Sequence, residues 1–206
     1  MMTVSKPGSR MGRGLILALT VYLTMWVPGA KAASSMDEVK GLIDQVQTIL
    51  QTNPVKSQRL CLIEKLAGKH LDYQEMAKRC LGSTWGTLNE GQKAEFVQLV
   101  SELLTAHYAK HLDGFAKTKV DYQGETCHGD SSEVHLAIIR PNDRIPVGVR
   151  LLQKPEGGMI YDLNIDGVSL VSNFRTQFSR AIQLSSYHGL VARLRAHLKT
   201  VGNASG

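Results

Sequence analysis

The 206-residue sequence contains no glycine loop that could cradle a phosphate, no nucleophile elbow and no pair of cysteines at zinc spacing. Those absences remove the common signatures of nucleotide hydrolysis, serine acyl transfer and structural zinc. Internal repeats and low-complexity tracts are also missing. Cysteine is scarce, with only Cys61, Cys80 and Cys127. An odd number leaves at least one thiol unpaired within a monomer. Cys61 with Cys80 is the pair to test first, because both lie in a helical region; the other reading makes all three small buried apolar residues.

Acid is absent from residues 1–32, which carry Lys6, Arg10, Arg13 and Lys31. Between the bases runs one apolar stretch, LILALTVYLTMWV from Leu15 to Val27, and Ala30-Lys31-Ala32 follows with small residues where a signal peptidase would cut. Basic end, short apolar core and small-residue site are the three parts of a secretory signal. Residues 1–32 are therefore expected to be a cleaved signal peptide and 33–206 a single exported domain. The apolar run is shorter than the ~20 residues a membrane-spanning helix needs, and no cysteine follows it for a lipid anchor. Removing this segment takes the formal charge from +6 to +2. Without a clustered basic stripe, that charge speaks against a nucleic-acid partner.

From 36 to 117 apolar residues recur at helical spacing, and from 118 to 166 they alternate. Val39, Leu42, Ile43, Val46, Ile49 and Leu50 share one face of a first helix that Asn53-Pro54 should end. Leu60, Leu62, Ile63 and Leu66 mark a second. Asp72 can cap a third through Leu81, with Gly82 as its stop. Thr87-Leu88-Asn89-Glu90 has capping-box spacing and predicts a long helix to about Lys117, whose stripe runs Phe96, Val100, Leu103, Leu104, Tyr108, Leu112, Phe115. Four strands are expected at 118–127, 133–140, 145–154 and 159–166, joined by turn residues in short gaps and so paired as an antiparallel meander. Two helices close the chain, 170–184 and 187–199, the second capped by Ser186. The fold expected is α+β, a twisted antiparallel sheet of about four strands against a helical layer.

Candidate chemistry is thin. His107 and His111 are four apart on a predicted helix, but no third ligand is evident, and a structural role is expected rather than a metal. Cys127-His128 are neighbours on a strand and should point to opposite faces, which argues against a thiol enzyme. Asp162 and Asp166 alternate with apolar residues on the last strand and read as a solvated strand face before an acid/base pair. No catalytic residue and no cofactor is assigned.

Four stretches together carry a likeness: LDYQEMAKRCLGSTW from Leu71, LNEGQKAEFVQLVSELL from Leu88, IPVGVRL from Ile145 and YDLNIDGVSLVSNFRTQF from Tyr161. In collinear order from Val39 to Leu198 the chain resembles the MlaC, or toluene-tolerance, family of periplasmic phospholipid-binding proteins, and in particular the branch found beside hopanoid-synthesis genes. It departs from the family pattern at Met159, where an aromatic is usual, and at Gly148, where an acid is frequent. The resemblance implies a non-enzymatic carrier in the periplasm whose apolar cavity takes the tails of a phospholipid, or a hopanoid or another isoprenoid lipid, and leaves the headgroup outside; the other reading is an exported interaction protein whose apolar faces make an ordinary core. It implies as partners an inner-membrane ABC transporter complex with its substrate-binding subunit and an outer-membrane lipoprotein complex. On this reading the lining is Phe96, Val100, Leu104, Val147, Val149, Leu151, Leu163, Ile165, Val168, Leu170 and Val171. Phe174 and Phe178 help to close the cavity, and Arg175 stands at its entrance.

Overall fold

The computed structural model describes residues 34–108 and 112–203. Helix α1, Ser35–Thr52, starts where the Ser34 hydroxyl accepts the Asp37 amide at 3.1 Å. Asp37 and Glu38 in its first turn complement the helix dipole, and the helix ends at Asn53, before Pro54. Helix α2, Lys56–His70, follows. Helix α3, Tyr73–Leu81, is capped by Asp72, whose carboxylate accepts the Glu75 amide at 3.0 Å, and stops at Gly82 with φ +57°.

Helix α4 spans Glu90–Tyr108, and its cap lies two residues beyond the expected one. The Asn89 amide donates to the Gln92 side chain at 3.0 Å, and the Gln92 amide donates back to Asn89 at 2.9 Å. Thr87 is diverted because residues 82–87 wind into a 3-10 turn, in which its hydroxyl bonds the Thr84 carbonyl. The helix does not run on to Lys117: a separate 3-10 turn occupies Asp113–Phe115.

The sheet is an antiparallel meander in the order β1-β2-β3-β4-β5: β1 Lys119–His128, β2 Ser131–Arg140, β3 Asp143–Lys154, β4 Gly157–Ile165 and β5 Val168–Ser169. The two-residue β5 is one strand more than expected. Two helices close the chain, as expected, meeting at non-helical backbone at Ser185 and Ser186; together they are termed α5, Leu170–Asn203. Ser186 has φ +69° there.

Apolar side chains gather in two clusters. One lies among α3, α4 and α5, around Phe96, Val100, Leu104, Phe178 and Tyr187. The other lies between α1 and one face of the sheet, around Val39, Val134, Val149 and Leu151. Asp162 joins the sheet to α5. Only 3% exposed, it accepts the Ser169 hydroxyl at 2.7 Å, the Val171 amide at 3.0 Å and the Arg150 guanidinium at 3.1 Å. The expectation of a solvated strand face fails at this residue, because the start of α5 folds over it and needs an acceptor for its free amide.

Candidate functional site

Strand alternation sorts the sheet into two unlike faces. Leu136 stands opposite Val147 and Tyr122, Val147 opposite Ile165, and Val134 opposite Val149, itself opposite Leu163. With Val120, Ile138, Ile145, Leu151 and Ile160 they make one continuous apolar face, covered by α1 through Met36, Val39, Leu42 and Ile43. The residues between them in sequence include polar and small ones at the centre of the sheet: Glu133 opposite Arg150, and His135 opposite Gly148. This second face bears a shallow groove of about 300 Å³ lined by Glu133, His135, Gly148 and Asn164.

The apolar face is closed at one end and open at the other. At the closed end the Ser35 hydroxyl shares a 2.6 Å hydrogen bond with Ser132 and accepts the Gln153 amide at 2.8 Å. There, too, the Glu38 carboxylate accepts the Gly158 amide. These contacts pin the start of α1 to the sheet. Along β2, β3 and β4 exposure then rises toward the β2–β3 hairpin, whereas β1 runs the other way, with Val120 and Tyr122 half-buried at that end and residues 125–128 exposed at the other. On β2, Val134 and Leu136 are buried, Ile138 is half-buried and Arg140 is exposed; on β3, Leu151, Val149 and Val147 are buried, Ile145 is half-buried and Asp143 is exposed. On β4, Ile160 is buried while Leu163 and Ile165 are half-buried. Gln47 and Gln51 of α1 reach the carbonyls of Phe115, Ala116 and Thr118, which frame one side of the open end. What results is an apolar face, termed the slot, that α1 covers fully near the β1–β2 turn and only in part toward the β2–β3 hairpin.

A family model described as MlaC protein matches residues 40–196, well over half of the chain. The chain belongs to the MlaC family. No curated protein matches. Among solved structures, a phospholipid-binding protein from Ralstonia solanacearum, in complex with a phospholipid, is similar at a TM-score of 0.75 and 21% identity, over 82% of this chain and 99% of that one. At this identity the likeness is one of fold: the MlaC chain shares an α+β architecture with a protein that holds a phospholipid.

Within this MlaC fold the candidate lining residues separate. Val147, Val149, Leu151, Leu163 and Ile165 share the apolar sheet face under α1. Val168, opposite Ile165, sits at the open end and is 58% exposed. Phe96, Val100, Leu104, Val171 and Phe178 belong instead to the helical cluster, with Leu170 and Phe174 packed on its rim. Phe96 meets Phe178 edge-on at 5.7 Å between centroids, and Phe174 stacks on Phe178 at 5.4 Å. The single expected lining is thus two, because the bulge in β4 at Tyr161 turns that side chain away from the sheet face and onto the helices.

Arg175 lies on α5 with its exposed guanidinium over Gly82, the last cap of α3, at the helical cluster. Its surroundings are the end of a helix, where a cation is favourable. At Gly148 a Cβ would fall 2.2 Å from a Glu133 carboxylate oxygen, so a side chain there would require the end of Glu133 to move. The acid missing at this position is replaced in space by one from the neighbouring strand.

All three cysteines are free, with Cys61 and Cys127 exposed and Cys80 buried. Of the two readings left open, the Cys61–Cys80 bridge is not formed, since Cys80 faces the helical cluster with its thiol 3.8 Å from the Val171 carbonyl, and the small buried apolar role holds for Cys80 alone. Burial, with the nearby Asp162 charge adding to it, pushes the Cys80 thiol up to about 12. His111 of the expected histidine pair lies outside the described residues.

Proposed function

We propose that this protein is a periplasmic phospholipid carrier that holds acyl chains in the slot between α1 and the sheet and moves them between inner- and outer-membrane complexes. The observation that carries this reading is the half-open state of the apolar face. A sheet face meant only as core would be covered along its length, whereas Tyr122, Ile138, Ile145, Leu163 and Ile165 are left partly uncovered on one continuous surface. Membership of the MlaC family and the fold shared with a phospholipid-bound protein support it.

The energetics explain why such a slot is needed. Burying a methylene is worth ~0.8 kcal/mol, so a sixteen-carbon tail left in water costs on the order of 12 kcal/mol. A bilayer and an apolar slot offer that tail similar surroundings, so exchange between them is nearly balanced and the carrier removes only the aqueous barrier. Because tail burial is strong, release requires a partner that opens the slot: an inner-membrane ABC transporter complex on one side, an outer-membrane lipoprotein complex on the other. Export follows from the signal-like residues 1–32.

The test is a Leu163→Trp variant. Leu163 is half-buried in the middle of the slot, so an indole there fills the space of the tails while the helical cluster stays intact. Lipid extracted from the folded variant and identified by mass spectrometry should fall to a few per cent of that from the unsubstituted protein. The same extraction distinguishes glycerophospholipid from hopanoid cargo. Full lipid content in a folded Leu163→Trp protein would remove the slot from the mechanism.

A further inference from the structure

The apolar face has a direction, and with it comes a place for the headgroup. From Ser132 to Ile138 the strand covers about 20 Å at ~3.3 Å per residue, longer than the ~15 Å depth of one leaflet's hydrocarbon. The inner end is plugged by the Ser35, Ser132 and Gln153 hydrogen bonds, so tails enter from the β2–β3 hairpin and the headgroup stays there. The next side chain on the same face beyond Ile138 is Arg140. It is exposed, and among the described residues it makes no ion pair. Of the other cations on the strands at this end, Arg144 is bound to Asp121 and Lys119, opposite Ile139, belongs to the polar face, while the exposed Lys117 lies in the turn before β1. Asp143 stands directly opposite Arg140 in the ladder, with one carboxylate oxygen accepting the Arg144 amide.

We propose that Arg140 and Asp143 form the headgroup subsite of the slot, Arg140 binding the lipid phosphate and Asp143 the amine of a zwitterionic phosphoethanolamine headgroup. The inference rests on the carrier reading and adds the site and the headgroup class to it. A guanidinium can grip a phosphate through two parallel N–H donors. Asp143 beside it repels a purely anionic headgroup and attracts one that ends in an ammonium group. Arg175, at the helical cluster, has no part in it.

The experiment uses the delipidated mature protein and three probes with identical fluorescent tails: phosphatidylethanolamine, phosphatidylglycerol and diacylglycerol, the last without phosphate. The unsubstituted protein should prefer phosphatidylethanolamine to phosphatidylglycerol. Arg140→Glu should weaken phosphatidylethanolamine binding about tenfold, the loss of one charge-assisted contact, and leave diacylglycerol unchanged. Arg140→Lys should recover part of the loss, and Asp143→Asn should narrow the preference between the two phospholipids. Phosphatidylethanolamine binding within twofold of normal in Arg140→Glu, a tenfold loss in Arg175→Glu, or displacement of the lipid by millimolar inorganic phosphate would each overturn the subsite. A slot that binds diacylglycerol without distinguishing the headgroups overturns the subsite alone, while a protein that binds none of the three overturns the carrier reading and the subsite with it.

Discussion

The helical cluster and the sheet cluster are made of the same kinds of side chain, yet one is finished and the other is not. Around Phe96 nearly every apolar group has neighbours on all sides: Phe96, Ala77 and Cys80 are at most 1% exposed, and aromatic rings meet edge-on or stacked. Under α1, half-buried side chains outnumber buried ones, and those on the strands lie toward the β2–β3 hairpin. The difference comes from what covers each surface. Three helices enclose the first cluster, whereas a single helix, tied down at its start, lies over the second. A domain can leave one apolar surface incomplete when another supplies its stability, and on the proposed carrier reading that separation would let lipid leave and return without unfolding the protein.

Truncation should measure the contrast directly. Phe96→Ala removes a fully buried ring and should cost about 4 kcal/mol in a urea unfolding curve. Leu163→Ala, on the half-open face, should cost about 1 kcal/mol. Equal losses would mean that the sheet face is ordinary core, and the comparison would collapse.

Asp162→Asn probes the joint between the two regions. The carboxylate receives three donors, from Ser169, Val171 and Arg150; an amide keeps one acceptor and brings donors of its own. A loss of about 2 kcal/mol is expected by thermal unfolding. Lipid content should hold, since Asp162 is on the side of the sheet away from the slot. A variant that stays stable but loses its lipid would place this residue in the binding machinery.

How far these regions could be read from sequence depended on the range of the interactions that set them. The meander was readable because alternation and turn residues act locally, and Asp72 with Gly82 bounded α3 as their chemistry dictates. Periodicity cannot report what an apolar stripe packs against. Phe96 and Val147 both read as lining, and only the bulge at Tyr161 and the path of α5 assign them to different clusters. Asp162 looked solvated because its burial depends on a helix that begins eight residues later. The proposed headgroup end was hidden for the same reason: the exposure gradient along β2 toward Arg140 exists only once α1 is fastened at Ser35 and Glu38. Arg175 drew attention by its place in the most distinctive motif, and such a motif marks a local fold as readily as a ligand contact.

The smallest expected effect uses the thiols to report which region is closed. In the native protein at pH 8, Cys61 and Cys127 should react quickly with a maleimide, and Cys80 only as the protein unfolds. The thiol is pushed up by desolvation from 9.0 to about 12 in the folded state, so the unfolded chain loses its proton first. Stability from this group is therefore complete below pH 9 and drains away as pH rises toward 12. Burial raises Tyr73 and Tyr187 of the same cluster in the same direction, so Cys80→Ala should flatten the alkaline limb of the urea midpoint only in part. If Cys80 instead reacted as fast as Cys61 at pH 8, the helical cluster would be opening on the timescale of labelling, and the stability that lets the sheet face stay open would have to come from elsewhere.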